Sequence, residues 1–131
     1  MGLIYLDSCL LIYLIENHSQ WAAPLRSKLS AVDPLNLAIS DLVRMECLVK
    51  PIRDDDLALQ RRYRNAFEEL VQLPLSREVF ESAAHLRGRF GIKPPDALHL
   101  ACAQHHGCEQ LWTNDERLTA AGHGLARQIL E

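Results

Sequence analysis

The chain has 131 residues, of which 48% are hydrophobic and 24% charged, with 14 Lys and Arg against 17 Asp and Glu. This composition is that of an ordinary globular protein, and it excludes disordered, collagen-like and coiled-coil chains. The formal net charge of −3 also weighs against nucleic-acid binding, because proteins of that class usually carry a basic excess. We expect residues 1–131 to form a single domain around one hydrophobic core.

The pattern of apolar residues, caps and breakers predicts alternating strands and helices. In chain order it predicts a strand at Leu3–Leu6, helices at Ser8–Asn17 and Trp21–Val32, a strand at Leu35–Ile39, helices from Ser40 to Lys50, from Asp54 to about Leu70 and from Ser76 to Arg89, a helix at Asp96–His106, a strand at Glu109–Thr113, a short helix at Glu116–Ala121 and a strand at Ala126–Leu130. Ser40 and Ser76 are predicted N-caps, and Pro51 and Gly91 are predicted stops. This alternation predicts an α/β fold in layers, with a central, mostly parallel sheet flanked by helices.

The first residues and the cysteines predict a cytoplasmic protein without membrane contact. No basic residue precedes the apolar stretch that begins at Leu3, and Asp7 interrupts that stretch. The longest apolar run, Cys9–Ile15, is too short to cross a bilayer. The four cysteines form no CxxC pair, which favours buried reduced thiols over disulfides.

Acidic residues lie where an α/β fold binds its ligands, beyond the carboxyl ends of its strands. Asp7 follows the first predicted strand, Asp115 lies two residues after the third, and Asp96 is in the first turn of its helix. Glu46 interrupts the apolar stripe of its own helix. Taken singly, each could be an N-cap, a helix-dipole residue or a surface charge. Gathered together they would repel unless a cation lay among them, and oxygen ligands of this kind suit Mg²⁺ or Mn²⁺.

Four segments that carry these acids resemble the PIN-domain family, and within it the VapC-type toxins of toxin–antitoxin pairs. The matching segments are Ile-Tyr-Leu-Asp-Ser (4–8), Ile-Ser (39–40) followed by Arg-Met-Glu (44–46), Pro-Pro-Asp-Ala-Leu-His-Leu-Ala (94–101) and Leu-Trp-Thr-Asn-Asp-Glu-Arg-Leu (111–118). Their order, their spacing and the length of the chain all match the family. The resemblance implies a PIN-like three-layer α/β fold.

The resemblance also implies the residues of the site. Metal-binding and catalytic roles fall on four acids, with three supporting polar residues: Asp7, Glu46, Asp96 and Asp115, then Ser8, Thr113 and Asn114. Glu116 directly follows Asp115, which leaves open the question of which carboxylate points at the metal. Cys9 stands where the family often has a small polar residue, so we expect one supporting hydrogen bond to be missing.

The activity implied is that of an endoribonuclease, in which Mg²⁺, or Mn²⁺ in its place, assists water in hydrolysing an RNA phosphodiester. The products would carry a 5′-phosphate and a 3′-hydroxyl. Asp7 and Asp96 are the expected direct ligands, and Glu46 and Asp115 are expected to act through water or a second ion, one of them taking the proton of the water. The alternative is an inactive PIN-fold protein that serves only as a protein- or RNA-binding module.

The implied partners are the RNA substrate and a cognate antitoxin. We also expect a homodimer, because the helix segment Leu10–Ile15 is apolar on nearly every side, although a place in the core is the alternative. Residues 44–93 hold ten of the fourteen basic residues, so the net charge does not exclude RNA. His99, Cys102 and His106 have helical spacing, but a fourth ligand for structural zinc is lacking.

Overall fold

The computed structural model describes residues 2–122 and 124–130. Five strands lie within these ranges, namely β1 Ile4–Leu6, β2 Leu37–Ser40, β3 Val71–Leu73, β4 Gln110–Thr113 and β5 Ala126–Gln128. The helices of the same ranges are α1 Ser8–Ile15, α2 Ala22–Ser30, α3 Asp41–Arg53, α4 Leu57–Glu68, α5 Arg77–Phe90, α6 Pro94–His105 and α7 Glu116–Ala121. No helix in the described part of the chain is long and apolar enough to cross a membrane.

The five strands form one parallel sheet in the order β3-β2-β1-β4-β5. Every residue of β1 and β2 is buried, as expected for central strands that helices cover on both faces. Given this strand order, the right-handed crossovers that parallel sheets almost always have assign α1 to α4 to one face of the sheet and α5 to α7 to the other. The predicted layered α/β fold is therefore confirmed. From β1 the strand order proceeds through β2 and β3 toward one edge of the sheet, and from β4 through β5 toward the other. At such a switch point, here between β1 and β4, a crevice opens at the carboxyl ends of the strands.

The structure corrects the predicted helix ends near Pro51. Helix α3 continues to Arg53, with Pro51 buried in its last turn. A proline this close to the end of a helix removes a single backbone hydrogen bond. Its own carbonyl accepts hydrogen bonds from the Asp56 backbone nitrogen and from Gln60 Nε2. The acids predicted to open one long helix are therefore divided, with Asp54 closing α3 and Asp56 capping α4.

Two further segments differ from the prediction. Strand β3 was not predicted, because a three-residue run is too short for its alternation to be recognised. The predicted strand at Leu35–Ile39 begins only at Leu37, since Pro34–Asn36 forms a short 3-10 turn that Asp33 caps. Both corrections leave the order of the remaining elements unchanged.

Helix α1 is packed into its own chain, against α2, α3 and β4. Leu10, Leu11 and Ile15 are buried, and the other apolar side chains of the helix are half-buried against the core. The core alternative thus accounts for much of its apolar surface, and the dimer contact remains a prediction. All four cysteines are free thiols, and three of them are buried.

Close packing of α7 on β5 requires a glycine at position 122. A Cβ built on Gly122 would lie 2.4 Å from the Cβ of Ala126 and 2.9 Å from the Ala126 backbone nitrogen. Neither atom can retreat without a shift of β5. We expect Gly122→Ala to lower the free energy of unfolding by about 1–3 kcal/mol, as overpacking does elsewhere, measured by urea denaturation.

Gly88 provides the matched control for this substitution. It lies within α5, and no atom lies within 4 Å of a Cβ built there. Gly88→Ala should raise the free energy of unfolding by about 0.5–1 kcal/mol, because alanine favours a helix interior. Equal effects at the two positions would contradict the packing argument.

Candidate functional site

The carboxylate of Asp7 lies where β1 meets β4. Asp7 follows β1 directly, caps α1 and is only 7% exposed. Its Oδ1 accepts a hydrogen bond from the Ser8 backbone nitrogen at 2.7 Å, and its Oδ2 accepts one from Thr113 Oγ1 at 2.7 Å. The backbone nitrogen of Asp7 donates to the carbonyl of Trp112. Both central strands and the start of α1 therefore hold this side chain in place.

A chain of hydrogen bonds holds Glu46 beside Asp7. Glu46 Oε1 lies 2.8 Å from His99 Nε2, and His99 Nδ1 lies 2.7 Å from the hydroxyl of Tyr5. That hydroxyl is in turn 2.7 Å from Ser40 Oγ. His99 Nε2 also lies 3.7 Å from Asp7 Oδ1. One potential ligand atom each from Asp7, Glu46 and His99 lies within 4.8 Å of the other two.

Asp96, at the start of α6, and Asp115, at the start of α7, lie at the same edge of the sheet as Asp7. Asp96 is half-buried in the first turn of α6, and Asp115 caps α7 by accepting a hydrogen bond from the Arg117 backbone nitrogen at 2.8 Å. Burial raises the pKa of Asp96, and the negative charges of Asp115 and Asp7 raise it further, while His99 and Arg117 lower it. The charges of the predicted acids are thus close enough to act on one another.

The predicted supporting residues differ in what they contact. Thr113 is fully buried, and its Oγ1 both donates to Asp7 and accepts from the Asp115 backbone nitrogen at 3.0 Å. The Ser8 hydroxyl is 3.5 Å from Asp7 Oδ1, so its backbone nitrogen makes the stronger contact. Asn114 has a buried Oδ1 that no hydrogen-bond donor reaches in the described part of the chain.

The sequence left two questions about the site, namely the hydrogen bond expected to be missing at Cys9 and the choice between Asp115 and Glu116, and the structure bears on both. Cys9 Sγ lies 3.5 Å from Asp7 Oδ2. A weak thiol donor is therefore present at the position where we expected no hydrogen bond. Burial raises the pKa of Cys9 to about 12, with the charge of Asp7 adding to the shift, and the group stays a thiol. Glu116 is exposed, whereas Asp115 is half-buried and acts on Asp96.

The chemistry of the donor set fits a divalent cation. Burial, and after it the charges of Asp115 and Asp7, raise the pKa of Asp96, and a positive charge among these carboxylates would favour the ionised form. The unpartnered Oδ1 of Asn114 adds a further oxygen near the same edge. Oxygen-rich sites of this kind suit hard cations such as Mg²⁺ and Mn²⁺. Asp7, Glu46 and His99 form a cluster that could hold such an ion.

The residues of the zinc alternative do not converge. His99 Nε2 faces Glu46, while His106 Nε2 lies 2.9 Å from the carbonyl oxygen of Pro74. Cys102 is buried in the core. Within residues 2–122 and 124–130, the one cluster of metal-ligating groups is that of Asp7, Glu46 and His99.

Sequence reasoning did not connect His99, Tyr5 or Ser40 with the acids, and it considered His99 only as a possible zinc ligand. A signal existed for His99, because it lies three residues after Asp96 and so shares a face of α6. Tyr5 precedes Asp7 by two residues, and side chains at this spacing in an extended strand point to the same face of the sheet. Ser40 occupies the predicted N-cap position, but its side chain makes no capping hydrogen bond.

Comparison with known proteins gives the family of the chain. The family profile described as PIN domain matches residues 4–124. No curated protein is similar in sequence at a significant level.

Among solved structures, the chain is similar to one from a toxin–antitoxin complex of Klebsiella pneumoniae, at 26% identity, 98% coverage of both chains and a TM-score of 0.81. It is also similar to VapC20 of Mycobacterium tuberculosis, a sarcin-ricin loop cleaving toxin, at 15% identity, with 91% of this chain and 95% of that one covered and a TM-score of 0.78. VapBC2 of Rickettsia felis, bound to a promoter DNA fragment, gives 17% identity, coverage of 95% and 97%, and a TM-score of 0.79. Because the family profile spans most of the chain and includes all four acids, this protein belongs to the PIN domain family.

Proposed function

We propose that the protein is a metal-dependent endoribonuclease of the VapC toxin type. The observation that supports this most directly is the convergence of carboxylates from four separate chain segments on the crevice between β1 and β4. Membership of the PIN domain family supports a nuclease, and a similar structure is that of a toxin that cleaves the sarcin-ricin loop. A site on this edge of a parallel sheet is also where α/β folds bind ligands.

The proposed ion is Mg²⁺, with Mn²⁺ as a substitute, and Asp7 and Asp96 are its proposed direct ligands. Glu46 and Asp115 are proposed to act through water or a second ion. When bound, the divalent ion lowers the pKa of water and offsets negative charge on the scissile phosphate. The hydrogen bonds from Ser8 and Thr113 keep the Asp7 carboxylate oriented for this role.

A carboxylate of the chain would accept the proton of the attacking water. Glu46 Oε1 is taken by His99, whereas no hydrogen bond from the described residues reaches Glu46 Oε2. Glu46 Oε2 is therefore a free acceptor for the proton of the attacking water, and Asp115 is the second candidate. Attack by water rather than by the ribose 2′-hydroxyl leaves a 5′-phosphate and a 3′-hydroxyl.

A depression of ≈440 Å³ beside Asp96 supports a single-stranded RNA substrate. Its lining residues are Phe90, Gly91, Ile92, Lys93, Asp96, Arg117, Ala120 and Ala121. Apolar walls suit an unstacked base, and the cations Lys93 and Arg117 suit phosphates on either side of it. Positive charge is thus available next to the acidic site despite the net charge of −3.

We also propose a cognate antitoxin as a partner, because the similar Klebsiella pneumoniae structure is that of a toxin–antitoxin complex. A group of carboxylates would favour a guanidinium from such a partner. A homodimer is proposed from the half-buried apolar side chains of α1. Light scattering of the purified protein, alone and with a co-expressed antitoxin, measures both associations.

Loss of either proposed direct ligand should abolish cleavage. We expect Asp7→Asn and Asp96→Asn to reduce Mg²⁺-dependent cleavage of RNA by more than about 100-fold, which exceeds the usual cost of losing a group that only orients a ligand. EDTA should have the same effect on the unmodified protein. Gel analysis of end-labelled RNA also identifies the product termini.

Asp41→Asn is the matched control, because Asp41 is an exposed acid in the first turn of α3. It should cleave RNA at the normal rate. Full activity of both site variants in EDTA would contradict the metal site, and an unmodified protein that binds RNA without cleaving it would support the inactive alternative.

The raised pKa of Asp96 predicts that this carboxylate destabilises the metal-free protein at neutral pH. The folded state binds the Asp96 proton more tightly than the unfolded state, so stability falls as pH rises through the folded-state pKa. Asp96→Asn should therefore raise the Tm of the metal-free protein at pH 7. The gain should vanish in acid, where the unmodified carboxyl is protonated. Scanning calorimetry across pH measures this, and a gain that is independent of pH would contradict it.

Lys93 and Arg117 should contribute to RNA binding rather than to the chemical step. In an Asp7→Asn background, which prevents cleavage, Lys93→Ala or Arg117→Ala should weaken binding of single-stranded RNA. Each should also reduce the slope of log K against log salt by about one, as the loss of one phosphate contact does. Arg26→Ala, on the exposed surface of α2, is the control and should leave the slope unchanged.

A further inference from the structure

We propose that His99 is a positioning residue that holds the Glu46 carboxylate through its Nε2–H and does not itself ligate the metal. This inference rests on the proposed function, because it assigns Glu46 a task at the metal site. The same geometry would otherwise make His99 a third ligand beside Asp7 and Glu46, since all three offer atoms within 4.8 Å of one another.

The distances determine which atom carries the hydrogen. His99 Nε2 is 2.8 Å from a carboxylate oxygen of Glu46, and a carboxylate can only accept. Nε2 therefore carries a hydrogen, whether or not the ring also carries one at Nδ1. A nitrogen that holds a hydrogen has no lone pair to offer a metal ion.

The other side of the ring is anchored as well. Nδ1 lies 2.7 Å from the Tyr5 hydroxyl, and this hydroxyl lies 2.7 Å from Ser40 Oγ. Burial raises the pKa of Tyr5 well above its usual range, so the group remains a hydroxyl and does not repel the acids nearby. Both ring nitrogens of a side chain that is 2% exposed are thus partnered, which leaves the ring one orientation.

Ser40 supplies independent support for this chain of contacts. It occupies the N-cap position of α3, where a serine hydroxyl ordinarily accepts a hydrogen bond from the first turn of the helix. Here the side chain makes no such bond and contacts Tyr5 instead. Since Ser40 begins the helix that carries Glu46, this contact ties the ends of β1 and β2 to the pair formed by α3 and α6. The carboxylate of Glu46 is thereby linked, through His99 and Tyr5, to the residue at the start of its own helix.

The position of the hydrogen can be observed directly in the unmodified protein. We would record long-range proton–nitrogen NMR correlations on ¹⁵N-histidine-labelled protein, free of metal and then saturated with Mg²⁺, and assign His99 as the signal missing in His99→Gln. Nε2 should show the shift of a protonated nitrogen in both states. Loss of that hydrogen when Mg²⁺ is added would make His99 a ligand and overturn the inference.

Substitutions test the positioning role with a second readout. His99→Phe keeps a ring of similar shape without a donor, and it should reduce kcat and Mg²⁺ affinity roughly 10- to 100-fold, as the loss of outer contacts to ligands does in other sites. KM for RNA should not change. His99→Gln keeps an N–H that can reach Glu46 and should recover most of the loss. Calorimetric Mg²⁺ titration and single-turnover kinetics measure the two quantities.

Tyr5→Phe extends the test to the far side of the ring. It removes one hydroxyl and should lower kcat in the same direction as His99→Phe but less. Tyr63→Phe is its matched control, because Tyr63 is a buried tyrosine whose hydroxyl contacts the carboxylate of Glu16 and not His99 or the four acids. It should leave kcat unchanged.

Two results would overturn the inference, namely a folded His99→Gln as impaired as His99→Phe, or a Tyr5→Phe protein identical to the unmodified one. Should the unmodified protein cleave no RNA, the proposed function fails by itself. The NMR and Mg²⁺-binding readouts need no activity, so they still decide the role of His99.

Discussion

The arrangement of the acids at the carboxyl ends of β1 and β4 depends on the hydrogen bonds that hold the buried carboxylate of Asp7. A charged group that is only 7% exposed needs donors to offset its lost hydration, and its donors come from separate parts of the fold. Ser8 supplies one at the start of α1, and Thr113 supplies another at the end of β4. Thr113 then accepts from the backbone of Asp115. The contact that joins β1 to β4 is thus also the contact that orients the acids of the site.

Placing several carboxylates close together at this partly buried edge of the sheet costs free energy. The stability of the fold therefore does not explain why they are there. Burial and the neighbouring acids raise the pKa of Asp96, so its ionised form is disfavoured in the metal-free fold. A neutral side chain at this half-buried position would avoid that cost. Clusters of mutually repelling titratable groups in a crevice are characteristic of functional sites, where a ligand supplies the missing compensation. The unpartnered oxygen of Asn114 at the same edge is consistent with this view.

Much of the fold was predictable because its signals are local. Ser76 and Gly91 delimit α5 as predicted, and α7 has the predicted bounds Glu116–Ala121. Strand β3 was not predictable, because its three residues are a strand only through their pairing with β2. The passage of α3 through Pro51 likewise depends on the burial of Pro51 and on two donors outside the helix, the Asp56 backbone nitrogen and Gln60 Nε2, from which its carbonyl accepts hydrogen bonds.

The site shows the same division between local and distant information. Four acids could be selected because each stands at a strand end, at a helix start or on an apolar stripe. His99 reads locally as a histidine within a buried helix, and only the fold brings it to Glu46, which lies 53 positions away in the chain. Tyr5 and Ser40 are equally ordinary in sequence, and their contact crosses from β1 to the end of β2. The acids proposed to hold a ligand were therefore recognisable by type and place, and so were the neighbours Ser8 and Thr113 that orient Asp7, whereas the residues that orient Glu46 were not.

The acidic character of the site and an RNA substrate are compatible only if a cation intervenes. Carboxylates at the crevice repel a phosphodiester, and Lys93 and Arg117, which line the depression beside Asp96, offset only part of that charge, since the pKa of Asp96 stays raised. On the proposed function, the carboxylates would hold a divalent ion, whose charge would offset theirs at the point where the phosphate must come closest. Ion and RNA would then each strengthen the binding of the other, because linkage between two sites is reciprocal. On that proposal, the net charge of the chain would say little about its substrate, since the sign that matters would be set at one edge of the sheet by the ion that those carboxylates hold.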